Sequence, residues 1–151
     1  MAFNMKQYGL FQEGLLSGTP ARRIDVTGDT LKIALTTSTH TPAHDTDEFF
    51  ADLTNEVSGT GYTAGGATLS TVTLNYVTGT NLVVVDCVDP TWTTATFTAR
   101  NAHVYKDTGV AATSPLIAYG TFAADRTVTA GTFTIELDAT NGLFAIDVKE
   151  A

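Results

Sequence analysis

The stretch Ala67–Val88, ATLSTVTLNYVTGTNLVVVDCV, decides the fold class. Threonine and other β-branched residues dominate it, and these side chains suit a pleated surface better than a helix. Ala67 to Val77 and Leu82 to Val88 read as two strands. Between them lies Thr78-Gly79-Thr80-Asn81, whose glycine and asparagine tolerate the positive φ of a tight reversal. Alternation along the second strand places Val83, Val85 and Cys87 on one face, so the single cysteine of the chain reads as a small buried hydrophobe. With one cysteine there is no intramolecular disulfide.

The same texture continues on both sides of this hairpin. Gly131 to Asp138 and Leu143 to Val148 flank Ala139-Thr140-Asn141-Gly142 and predict a second hairpin. Thr94 to Lys106 and Leu116 to Phe122 lie between the two. In the former, Phe97 and Ala99 share one parity and Ala102 and Val104 the other, which predicts a bulge near Arg100-Asn101. Upstream, Thr30 to Thr37 sets Leu31, Ile33 and Leu35 against Thr30, Lys32 and Thr36, the period of a half-buried strand. Short strands at this spacing, with little helix, predict a mainly β, single-domain antiparallel β-sandwich or barrel-like fold over residues 20–151.

Residues 1–19 form an N-terminal arm or short helix. Met5, Tyr8, Phe11, Gln12 and Leu15 fall at helical spacing, and Gly18 is placed to end the helix as a left-handed cap. Gly9 and Gly14 each cost such a helix about 1 kcal/mol against alanine. The segment is therefore expected to need a surface to order against: either a partner, as a contact arm, or the edge of its own sheet. A short helical turn is expected over Glu48–Leu53, capped near Asp45 or Thr46, with Phe49, Phe50 and Leu53 on its buried side. The glycine-punctuated loop that follows, with Gly61, Gly65 and Gly66 around Tyr62, reads as a structural turn; it lacks the lysine and the strand-to-helix context of a phosphate loop.

The chain has 151 residues, is 43% hydrophobic and only 16% charged, and carries a net charge of −8. This suits one domain burying roughly two-thirds of its unfolded surface. An acidic chain of this kind offers no phosphate-binding face, so nucleic acid is not an expected partner. No apolar run approaches the roughly 20 residues of a membrane span, and the N-terminus lacks the apolar core of a signal peptide, so neither a membrane nor secretion is expected.

Catalytic chemistry finds little footing. His40, His44, Asp45 and Asp47 cluster metal-compatible donors, but Pro42 breaks the helical register that would converge them, so a solvated loop without metal is expected. No serine stands in a G-x-S-x-G elbow. Asp86, Asp89 and Glu136 have no fixed separation that would make a glycosidase pair. No catalytic residue, metal ligand or cofactor is assigned.

Four stretches carry a resemblance: DEFFADLTNEVSGTGYTAGGATL (Asp47–Leu69), ARNAHVYKDTG (Ala99–Gly109), SPLIAYGTF (Ser114–Phe122) and GTFTIELDATNGLFAI (Gly131–Ile146). From about Asp29 to the C-terminus the chain resembles a family of small tailed-bacteriophage virion proteins. The resemblance implies a non-enzymatic structural protein made in the host cytoplasm and carried on the virion. A capsid decoration, or cement, protein on the capsid exterior is expected, bound to the major capsid protein as a homo-oligomer, with a trimer favoured. The alternative is a tail, fibre or head–tail joining component with a receptor- or glycan-binding β-domain, for which Tyr62, Trp92, Tyr105 and Tyr119 are the sugar-stacking candidates. Phe3, Tyr8, Phe11 and Leu15 of the N-terminal segment, with Trp92, are the expected partner contacts.

Overall fold

The computed structural model describes residues 3–148. In chain order these form β1 (Lys6–Gln7), α1 (Gly9–Ser17), β2 (Leu31–Thr36), β3 (Ala67–Thr68), β4 (Thr73–Val77), β5 (Leu82–Asp86), β6 (Thr91–Lys106), β7 (Leu116–Thr134) and β8 (Phe144–Asp147). Single 3-10 turns lie at Pro20–Arg22, Phe50–Asp52 and Ala111–Thr113. The strands make two antiparallel sheets, one ordered β1-β7-β6-β2-β3 and a smaller one ordered β4-β5-β8. One continuous core links them, from Leu31, Ile33 and Leu35 through Trp92, Phe97 and Phe133 to Val85 and Phe144. The chain is thus a mainly β, sandwich-like single domain with one short helix, as the alternating patterns require.

The first expected hairpin is present. Val77 pairs with Leu82 and Thr73 with Asp86 across the Thr78–Asn81 turn. Its first arm is shorter than expected, because the run from Ala67 to Val77 is divided between sheets. Ala67 and Thr68 pair with β2, then Thr71 takes a left-handed φ of 53° and sends the chain across to the smaller sheet.

The second expected hairpin does not form. Gly131 to Thr134 is the end of β7 and pairs with β6, setting Phe133 opposite Trp92, whereas Phe144 to Asp147 pairs with β5. The turn chemistry at Asp138–Gly142 is as expected: Asp138 Oδ1 accepts from the amides of Thr140 and Asn141, and the Gly142 amide closes on the Asp138 carbonyl. This turn instead carries the chain between sheets, while Phe133 stays beside β6 and packs edge-on against Trp92, 5.8 Å between rings, with both side chains buried.

β6 and β7 are the longest strands and pair along most of their length, with the register shifting between Ala99 and Asn101, where the parity change placed a bulge. β2 departs from simple alternation. Leu31, Ile33 and Leu35 are buried, but so are Ala34 and Thr36 on the opposite face. That face, carrying His103, Tyr105 and Tyr119, is roofed by Tyr8, His40 and Phe50. The Phe50 ring stacks on Tyr105 at 4.4 Å, whereas Phe49, Phe50 and Leu53 are only half-buried, and the turn begins at Phe50 rather than near Asp45. Cys87 lies just beyond β5, half-buried against the core, and burial pushes its thiol up to about 12.

At the N-terminus the helix begins only at Gly9. Lys6 and Gln7 are a strand instead, pairing with Tyr119 and Ala118 at the edge of β7. Gly18 ends α1 in the left-handed conformation at φ 65°, as its position suggests. Gly14 has a packing role: a Cβ there would meet the Arg22 side chain at 2.8 Å. That approach lets Arg22 reach Glu13 at 2.9 Å and Glu48 at 3.3 Å, tying the helix to the loop beneath it.

Candidate interaction surface

The N-terminal segment is not a free arm. Phe3 packs at a tilt against Phe122, 4.4 Å between ring centroids, and its ring fills the space above Gly120, where any Cβ would overlap it. Tyr8 is fully buried, and Phe11 meets Phe144 edge-on at 5.8 Å. Trp92 is also core, enclosed by Tyr62, Phe97 and Phe133. These side chains cannot serve as anchors on another protein, and the reason is energetic. Each finds apolar cover within its own chain, worth roughly 1.5–3 kcal/mol per large side chain. Of the expected contacts only Leu15 stays open, 41% exposed, with Leu16 beside it at 89%. Between the two readings of this segment, the structure takes the one that covers the sheet edge.

A buried polar chain fixes that arrangement. The Tyr8 hydroxyl lies 2.8 Å from His103 Nδ1, and Thr36 Oγ1 lies 3.0 Å from Nε2, so a neutral ring offers one donor and one acceptor to its two neighbours. The Asn101 amide donates to Thr36 Oγ1 and to the carbonyl of His40, and Thr121 donates to Asn101 Oδ1. Burial, with the neighbouring His40 ring adding to it, pushes His103 down to about 3. His40 does not belong to a solvated loop. It is buried edge-on to His103, and burial lowers its pKa, partly offset by Asp47. Its Nε2 faces Asp47 Oδ2 at 3.7 Å, beyond hydrogen-bond reach.

These groups do not converge on a reaction centre. His44, near Asp45, is separate from the His40–Asp47 pair, and among the described residues no three His, Cys, Asp or Glu side chains are grouped to hold a metal ion. Asp86 and Asp89 serve the backbone, accepting from the amides of Cys87 and Leu137. The aromatic residues suited to sugar stacking are occupied too. Trp92 and Tyr105 are buried, Tyr62 donates to Glu56 and accepts from the Leu35 amide, and Tyr119 packs between Tyr8 and His44.

The glycine loop is a structural device, as its composition predicts. Gly61, Gly65 and Gly66 have φ of 79°, 88° and 75°, and Glu56 gathers the turn by accepting from Tyr62 and from the Gly65 amide. At Gly66 a Cβ would collide with the Ile33 carbonyl of β2, and at Gly61 it would approach Thr93 O at 2.9 Å. Gly66→Ala is therefore expected to cost at least about 3 kcal/mol, combining left-handed strain with backbone overlap. At Gly65 the nearest atom is the Tyr105 hydroxyl at 3.3 Å, with no backbone overlap, so Gly65→Ala should cost less, about 1–2 kcal/mol. Urea melts of the two variants check the order; equal losses would contradict it.

What the surface does offer lies on the smaller sheet. Every residue of β4 is exposed, and Leu74, Tyr76 and Val77 keep 50%, 55% and 41% of their surfaces in solvent. Among the described residues β4 pairs only with β5, and no other strand lies along its outer edge. From Val57 to Val85 the sequence contains no charged residue, an uncharged tract in a chain of net charge −8. None of these side chains was singled out from the sequence, because Leu74 and Tyr76 have the same parity as a buried face; the absence of charge was the signal available. Comparison with family models, with curated proteins and with solved structures finds no match.

Proposed function

We propose that this chain is a non-enzymatic structural protein of a tailed-phage virion, acting as a capsid decoration protein that binds the major capsid protein as a homo-oligomer. The resemblance in Asp47–Leu69, Ala99–Gly109, Ser114–Phe122 and Gly131–Ile146 supports the lineage. The observation that carries the reading is how the chain uses its reactive groups. His40 and His103 are buried, and Cys87 is half-buried with its thiol held in the protonated form, whereas the accessible surface includes an uncharged apolar strand edge. Such a surface is suited to repeated contact rather than to turnover. The contacts with the shell would be modest individually and gain strength from copy number. Leu15 and Leu16 on α1 supply a second apolar spot for them.

The test is reconstitution. Purified protein added to heads lacking it should bind saturably at hundreds of copies and raise the temperature at which they release DNA. Saturation at about a dozen copies would place the protein at the neck or tail, and no binding to heads would remove the reading. The tail-receptor alternative has less support, since the aromatic residues it needs are packed inside.

A further inference from the structure

We infer that the outer edge of β4 pairs with β4 of a second copy of this chain, antiparallel about a two-fold axis through Asn75. The backbone directions come from the smaller sheet itself. The carbonyls of Val85 and Asn81 accept from Leu143 and Val148, so these residues of the β5 strand and its turn direct their hydrogen bonds toward β8. In an antiparallel ladder the direction alternates, so Val84 bonds toward β4 and its partner Asn75. It follows that Asn75 spends its backbone groups on β5, whereas the amides and carbonyls of Leu74 and Tyr76 point outward from the open edge.

A second copy satisfies this edge in register. With Asn75 opposite Asn75, Leu74 of one copy exchanges both backbone bonds with Tyr76 of the other, and Thr73 faces Val77. Leu74 and Tyr76 form a mixed aliphatic–aromatic pair of the kind that stabilises strand pairing. Charge selects the occupant. Two copies of an acidic molecule repel over most of their surfaces, yet neither β4 nor the Thr78–Asn81 turn carries a charge of either sign. Open edges are ordinarily guarded by lysine, proline or a bulge, and β4, TLNYV, has none of them. A charged or basic partner would find nothing complementary here. The same strand from another copy finds matching backbone groups, matching apolar side chains and no repulsion.

Five residues of pairing on each side fall short of the roughly 1,200 Å² of a stable independent interface, so association in solution should be weak and concentration-dependent. On an ordered shell the same contact would be strengthened by multivalency. Its symmetry is two-fold, so it joins copies in pairs or links one ring of copies to the next rather than closing a trimer. The inference does not depend on the virion reading: loss of this contact would leave decoration by single subunits open, and absence from capsids would leave the contact intact.

Two measurements on the full chain test it. Asn75→Cys places two thiols across a non-hydrogen-bonded pair, where Cα separations suit a disulfide. Gly79→Cys, at the exposed turn tip, is the off-axis control. Under mild oxidation the Asn75→Cys protein should form a disulfide-linked dimer at least tenfold faster than the Gly79→Cys protein. Independently, sedimentation of the unmodified protein from micromolar to millimolar concentration should show a growing dimer fraction, weakened at least tenfold by Tyr76→Lys with the far-UV spectrum unchanged. Equal cross-linking rates, or a monomer throughout that range, would overturn the proposal and leave the edge to a strand of a different protein.

Discussion

A protein lacking residues 1–17 is expected to be unfolded, not merely unable to bind. The truncation removes Phe3, Tyr8 and Phe11 from the core, a loss of about 2 kcal/mol of burial for each. It also strips the Ile117 carbonyl of the Tyr8 amide and His103 of the Tyr8 hydroxyl, leaving buried polar groups that each cost about 1–3 kcal/mol when unpaired. The sum is comparable with the whole stability of a domain, about 5–15 kcal/mol. Circular dichroism and amide dispersion by NMR decide the matter. A truncated protein that keeps its strand spectrum and melts within a few degrees of the full chain would mean that the segment is a detachable arm after all.

Acidification should destabilise the fold well above the pH at which carboxylates titrate. Folding holds His103 neutral down to about pH 3, whereas an unfolded histidine takes a proton near pH 6.5. Below that point the unfolded chain binds more protons than the folded one, so stability must fall with falling pH. His103 alone makes its full contribution above about pH 6.5 and loses it progressively toward pH 3, to a total of about 5 kcal/mol. His40, shifted in the same direction, adds to the slope. The lowered carboxyls of Asp107, Asp25 and Asp138 act only further down, as the pH falls through the carboxylate range.

Urea denaturation at intervals from pH 7 to 4 measures that slope. His103→Gln retains a donor and an acceptor for Tyr8 and Thr36 but cannot titrate. Its profile should be flatter by about 1.4 kcal/mol per pH unit, one proton's worth. Identical slopes in the two proteins would show that His103 is not held neutral by its surroundings.

The parts of the fold that were legible in the sequence are local. The Thr78–Asn81 hairpin is encoded in one contiguous stretch, turn and both strands together, and the bulge near Arg100 shows as a change of parity within a single strand. The pairing of β5 with β8 joins residues about sixty positions apart, and nothing in Leu143–Val148 indicates that its partner is β5 rather than the strand just before it. The burial of His103 is hidden in the sequence for a related reason. It alternates with Ala102 and Val104 as a solvent-facing residue should, and only the roof of Tyr8 and His40 turns that face into interior.

The expected interaction residues mislead for the converse reason. Aromatic side chains near an end of the chain look available, but in a domain of this size they are the cheapest cover for a sheet edge, and Phe3, Tyr8 and Phe11 are used for that. Leu74 and Tyr76 look like core, being on the parity of Val83 and Val85 across the hairpin, yet β4 lies outside the shared interior. The glycine loop was legible because its conformational demand is intrinsic: positive φ at Gly61, Gly65 and Gly66 requires no knowledge of distant partners.

The most direct test of the proposed role is a reconstruction of the intact phage particle at a resolution that distinguishes strands. The account predicts a density the size of this domain repeated over the capsomers, with the edge of β4 meeting its counterpart on a neighbouring copy. Bare capsomers, with the domain confined to the tail tip or to the neck, would contradict it.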